Sequence, residues 1–182
     1  MAVFTHQEGT PVVWADSTDY SSTNSGLSRT HQLLLENLAN NAAREGAKAD
    51  LGVATVNRAP LYAVRVGFEC NSAPTAGTLI EVYWSSSFST TATVGNDGGA
   101  IGSDAAYHAA EEDEWKKQLI YLGALVTTAD TNTVPQYQTI GYFTPPHRYG
   151  MPVVVNKSGV ALNATDAIEM FVALIPIVHN IA

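Results

Sequence analysis

The residues whose types could do chemistry are few and scattered. The histidines are His6, His31, His108, His147 and His179. No two stand four apart, as zinc ligands on a helix do, or two apart, as ligands on a strand would, so their spacing offers no metal site. The stretch GNDGGAIG carries Gly95, Gly98, Gly99 and Gly102. A phosphate loop would need a closing Gly-Lys-Ser/Thr and a helix to lend its dipole, and this stretch has neither. Asp97 and Asp104 could offer oxygens to calcium, but the alternating ligands and closing Glu of an EF-hand loop are missing. Glu111, Glu112, Asp113 and Glu114 are consecutive, whereas carboxylates that share acid–base work face each other from separate elements. No serine sits in a GxSxG elbow. Cys70 is the single cysteine. It alternates with Tyr62, Val64, Val66 and Phe68, which predicts a buried small hydrophobe rather than a reactive thiol. The sequence therefore assigns no catalytic residue, cofactor or metal, and it reads as a protein that is not an enzyme.

Contact chemistry is better represented. Tyr83, Trp84, Phe88, Tyr107 and Trp115 lie in or beside one long polar stretch, residues 85–116. They could stack on a glycan, or they could pin the ends of that stretch to the fold. Glu112 and its neighbours could meet Lys116, Lys117 or a partner's arginine. In TPPHRYG (144–150), Arg148 and Tyr149 could pair with an acidic loop, within the chain or across an interface. Together with Trp14 near the N-terminus, the candidate contact residues are Asp97, Asp104, Tyr107, Glu112, Trp115, Arg148 and Tyr149.

Charge narrows the partners. Nine basic residues against 17 acidic give a net charge of −8. A nucleic-acid binder needs clustered Lys and Arg to displace counterions, and an anionic membrane surface needs the same; here Lys116–Lys117 is the only basic pair. The longest apolar stretch, Met170–Val178, is far shorter than the ~20 residues of a spanning helix. The first residues show no basic and apolar leader pattern, so no signal peptide is expected.

The elements that must hold these residues are strands. LYAVRVGFEC (61–70) alternates with period two, and TLIEVYWS sets Ile80, Val82 and Trp84 on one face. QLIYLGALVTT is nearly all apolar, as a strand covered on both faces would be, with Gly123 marking a bulge or a close backbone approach. A turn is expected at 130–133 and strands at 136–143, 151–156 and 167–178, with Pro176 needing an edge or a bulge and Pro145–Pro146 breaking any ladder. Residues 29–36 read as a strand followed by at most one helical turn. Asn163-Ala164-Thr165 matches a glycosylation acceptor by coincidence. With no regular alternation of helices and strands, the expectation is an all-β antiparallel sandwich of the jelly-roll type. It has an N-terminal arm at 1–26, a single domain at 27–182 and a long excursion at 85–116. So long a loop in a compact domain is commonly functional.

The succession AVRVGFEC, APTAGT, IEVYWSSS, GNDGGAIGSDAAY, LIYLGALVTTAD and IGYFTPPHRYGMPVVVN resembles small β-sandwich virion proteins of tailed bacteriophages over roughly residues 28–178. The resemblance implies a structural protein of the virion, assembled in the host cytoplasm. It implies a homo-oligomer, with a trimer among the states it admits, that decorates or cements a capsid through its major capsid protein. It carries no enzyme activity and no functional residue. The alternative reading is a carbohydrate- or receptor-binding module of a tail or head fibre.

Overall fold

The computed structural model describes residues 4–53, 58–108, 112–129, 134–164 and 169–181. Two antiparallel-rich sheets pack face to face. The strands that build them are β1 (Phe4–Glu8), β2 (Val12–Ala15), β3 (His31–Gln32), β4 (Ala43–Glu45), β5 (Ala49–Asp50), β6 (Leu61–Phe68), β7 (Leu79–Ser87), β8 (Ala105–Ala106), β9 (Ile120–Val126), β10 (Gln136–Phe143), β11 (Tyr149–Lys157) and β12 (Phe171–Ile181). The first sheet runs β10-β6-β12-β2-β3, with β1 also on β12; the second runs β8-β4-β11-β7-β9, with β5 also on β11. The pairing is nested. β2 lies antiparallel to β12, β4 to β11, β6 to β10 and β7 to β9. Pairs β2·β12 and β6·β10 fall in one sheet, β4·β11 and β7·β9 in the other.

Period-two patterning dictates the core. On β6, Tyr62, Val64, Val66 and Phe68 point inward; on β7, Ile80, Val82 and Trp84 do. They meet Trp14, Val154, Val172 and Leu174 between the sheets. Cys70 joins this core as expected, and burial raises its thiol pKa.

Several expectations need correcting. The arm over 1–26 does not hold for its first half: β1 pairs with β12, and β2 sits within the first sheet. Trp14 is fully buried there, its indole Nε1 donating to the Ala47 carbonyl at 2.7 Å and its ring edge-on to Trp84. The strand expected at 29–36 shrinks to β3; Leu33, Leu35 and Leu38 instead plug the core from irregular backbone. β9 is not covered on both faces, since Tyr121 and Val126 are exposed. Gly123 does both things expected of it. The register with β7 shifts beside it, and a Cβ there would lie 2.4 Å from the Ile140 carbonyl oxygen, with φ at +139°. That close approach joins the open edges of β9 and β10. Two glutamines of β10 complete the seam: Gln138 Oε1 accepts from Val126 N–H, and Gln136 both accepts from Thr128 N–H and donates to its carbonyl. Pro176 falls between the partners of β12. The β2 ladder ends at Leu174, the β1 ladder starts at Ile177, and Gly9 N–H donates to the Pro176 carbonyl. The expected turn at 130–133 lies outside the described residues.

Both sheets also carry apolar residues on their outer faces. Val13, Ala15, Phe171 and Ala173 form one outer cluster, capped by Tyr20 and Leu27 from the segment after β2. Met151, Val153 and Val155 of β11 form the other, and what caps them is the long excursion.

Candidate functional site

The excursion was expected to be an irregular contact loop; the structure binds it to its own sandwich. β7 continues through Ser85, Ser86 and Ser87, all buried. Ser85 Oγ then donates to the Asp97 carbonyl, and Ser87 bridges to Asn96. A single 3-10 turn covers Asp97–Gly99, β8 adds an edge to β4, and a short helix α1 (Glu112–Trp115) leads back to β9. Tyr107, Ala100, Leu119 and Trp115 lie on Met151, Val153 and Val155, so the excursion is a third layer over the second sheet.

Polar groups of the sheet hold it there. Lys48 Nζ is ringed by Ser87 Oγ at 2.9 Å and by the carbonyls of Ser89 (3.2 Å), Thr91 (2.7 Å) and Val94 (3.1 Å). The ammonium acts as a built-in cation for a turn whose carbonyls converge, and burial lowers its pKa. Glu45 is buried under the same layer, with Oε2 accepting from the N–H of Ile101 (2.9 Å) and Gly102 (3.4 Å). Desolvation pushes its pKa up to about 7, helped by the Asp104 charge and opposed by the two N–H groups. At Gly102 φ is +73°, and a Cβ would lie 2.1 Å from the Ala92 carbonyl oxygen, so only glycine lets the loop cross itself.

The candidate contact residues separate on this framework. Tyr107 is fully buried, its hydroxyl donating to the Gly98 carbonyl at 2.6 Å; like Trp14, it is a core residue and presents no surface. Asp104 is spoken for, with Oδ1 accepting from Arg44 Nε at 2.6 Å and from Leu34 N–H. Asp97 sits half-buried in the 3-10 turn. Trp115 is half-buried and stacked at 4.5 Å on His108, whose own φ is positive. Glu112 opens α1, while Glu111 lies outside the described residues. The aromatics thus divide as anchors, and a sugar cannot reach Trp84 or Tyr107, both fully buried.

Arg148 and Tyr149 do remain at the surface, and the structure gives them company the sequence did not suggest. Arg148 forms a two-pronged pair with Asp50, Nε to Oδ1 at 2.7 Å and Nη2 to Oδ2 at 2.6 Å, and lies over the Tyr149 ring at 5.0 Å. The guanidinium holds the Asp50 carboxyl below its usual range. A cleft of about 340 Å³ opens on one side of this pair, lined by Thr10, Val12, Asp50, Tyr62 and Arg148 among others. A second, of about 270 Å³, is lined by Lys48, Ala49, Asp50, Thr90 and Tyr149. Phe88, 72% exposed, stands nearby, edge-on to His147 at 5.9 Å. Asp50 and Lys48 had no local signal, because their partners lie 98 and about 40 positions away in the chain.

One further cluster has ligand chemistry. Carboxylate oxygens of Asp16, Asp19 and Glu36 lie within 4.8 Å of one another. Gln32 Nε2 donates to Asp16, and a hydrogen bond to Asp19 raises the Glu36 pKa. The hydroxyl–imidazole contact of Thr30 with His31 (2.8 Å) has no carboxylate on the ring's far side among the described residues. Comparison of the chain with protein-family models and with characterised proteins returned no match.

Proposed function

We propose that the chain is a structural protein of a tailed-phage virion that decorates the outside of the head as an oligomer against the major capsid protein. The observation that carries the reading is the nested strand order. Pairing β2 with β12, β4 with β11, β6 with β10 and β7 with β9 is what a single antiparallel ribbon gives when it is rolled up, and we infer from it that the sandwich is a jelly roll. Viral shells and lectins share that architecture. A fold alone does not assign a function; here it joins the resemblance to phage virion proteins. The role is mechanical, each copy bridging shell subunits through contacts of ~1,000 Å² or more. Heads lacking the protein, mixed with the purified chain, are expected to bind it saturably and to resist heating better. Absence of binding in sedimentation overturns the proposal.

A second reading is favoured by one place in the structure. The corner of Asp50, Arg148, Tyr149 and Phe88 combines a planar acceptor–donor pair, exposed aromatic surface and two flanking clefts, which suits the vicinal hydroxyls and apolar face of a sugar. A glycan array tests it, with Arg148→Ala expected to abolish any signal.

A further inference from the structure

The outer faces of the two sheets are not covered alike. The excursion covers the second sheet, and Tyr20 and Leu27 cover the Phe171–Ala173 end of the first. The other end of the first sheet is made by residues that register places side by side on the outer face: Tyr142, Ala63 and Ile175 in one row, Leu61, Ile177 and Glu8 in the next. Tyr142 is 68% exposed, Leu61, Ala63 and Ile177 are half-exposed, and Ile175 is the floor. Tyr142, Leu61 and Ile177 also line a cleft of about 400 Å³ with Gln7 and Glu8. Two exposed charges flank the patch, Arg65 on β6 and Glu8 on β1, and neither has an ion-pair partner among the described residues.

Their placement is what selects an occupant. Arg65 pairs across β6 with Ala173, two rows above Leu61; Glu8 pairs with Ile177 in the row of Leu61. From Arg65 to Glu8 is therefore four residues along the strands, about 13 Å, and two strands across, about 10 Å. The midpoint is one row up and one strand over, at Ile175. A two-fold axis lying in the interface plane over Ile175, perpendicular to the line from Arg65 to Glu8, sets Arg65 of one copy opposite Glu8 of the other, twice, and lays the Tyr142 row of one copy against the Leu61–Ile177 row of the other. Such self-complementarity is the requirement of an isologous dimer.

We propose that this end of the first sheet is a docking surface for a second copy of the chain, with the two-fold axis at Ile175, Tyr142 entering the partner's cleft, and reciprocal Arg65–Glu8 pairs at the rim. The proposal gives the oligomer of the preceding reading a surface but does not depend on a phage head as its destination.

The test is sedimentation of the full chain over a concentration series. The wild type is expected to dimerise. Arg65→Glu and Glu8→Arg should each weaken the dimer by at least about tenfold, because each sets like charges opposite. The double swap should restore it, and Tyr142→Asp should give monomer. Circular dichroism and thermal melting check that each variant folds, and both charged positions are exposed enough to expect it. A wild type that stays monomeric, a dimer indifferent to Tyr142→Asp, or a double swap that fails to restore association would overturn the proposal. Retained binding to heads by the monomeric variants would leave the virion reading standing while the dimer contact is assigned; loss of head binding by a wild-type dimer would do the reverse.

Discussion

The excursion and the Tyr142 end of the first sheet invert what their compositions suggest. The excursion is rich in Ser, Thr, Asp and Gly, yet the carbonyls of Ser89, Thr91 and Val94 turn onto Lys48, the N–H of Ile101 onto Glu45 and Asp104 onto Arg44, while Tyr107 and Trp115 turn onto β11 and Phe88 stays exposed. The Tyr142 end is built from ordinary strand residues, yet its apolar side chains face outward with two unmatched charges. A contact surface is recognised by what the fold leaves unsatisfied. A polar stretch whose hydrogen bonds close within the chain has little left to offer a partner, whereas a half-covered apolar face does.

That contrast can be broken or sharpened by substitution. The largest effect is expected from Tyr107→Ala, which empties a fully buried site and strips the Gly98 carbonyl of its partner; about 3–5 kcal/mol should be lost in denaturant unfolding. Were Tyr107→Ala neutral, the excursion would not be a structural layer at all.

Next is Glu45→Gln. Glu45 titrates at about 7 in the fold, against an ordinary value of 4.5. Between those values the folded chain holds a proton that the unfolded chain has released, so stability falls as pH rises from 4.5 to 7. The window corresponds to no more than about 3 kcal/mol. The glutamine variant should flatten that slope, read from melts at a series of pH values.

Lys48→Met should cost about 1–2 kcal/mol by leaving converging carbonyls without a donor. Hydrogen exchange should quicken within 88–96 and stay unchanged in β6 and β12. Smaller still, Arg148→Ala removes an exposed pair and should move stability by less than about 1 kcal/mol. Smallest of all, Tyr142→Ser should leave the unfolding of the isolated chain within about 0.5 kcal/mol of wild type. The excursion variants are thus expected to act on folding, and the Tyr142 variant on the proposed dimer contact alone.

What was legible in the sequence follows the range of the interaction. β6 and β7 could be read because alternation is local, and Gly123 and Pro176 because backbone chemistry is local too. β9 misled, since an apolar run does not say that Tyr121 and Val126 face outward once a bulge shifts the register. Trp14 and Tyr107 misled for a related reason: Trp14 follows Val13 and Tyr107 follows Ala106 with no clear alternation, and only the tertiary fold shows that each ring is turned inward. The pairs Arg44–Asp104 and Asp50–Arg148 join positions 60 and 98 apart, and no spacing rule reaches that far. The β-sandwich was visible as a class of pattern; which surface it leaves open was not.

The nesting of strands has a kinetic consequence. β7 and β9 are the innermost of the nested pairs, and β12, which bridges β6 and β2 at the centre of its sheet, is synthesised after every other described strand. A chain emerging from the ribosome can close β7 on β9 early, but β2 must wait with Trp14 exposed until the C-terminal strand arrives. High contact order of this kind slows folding and leaves long-lived unpaired strands. A chain truncated before Phe171 is therefore expected to aggregate rather than to yield a smaller stable sandwich.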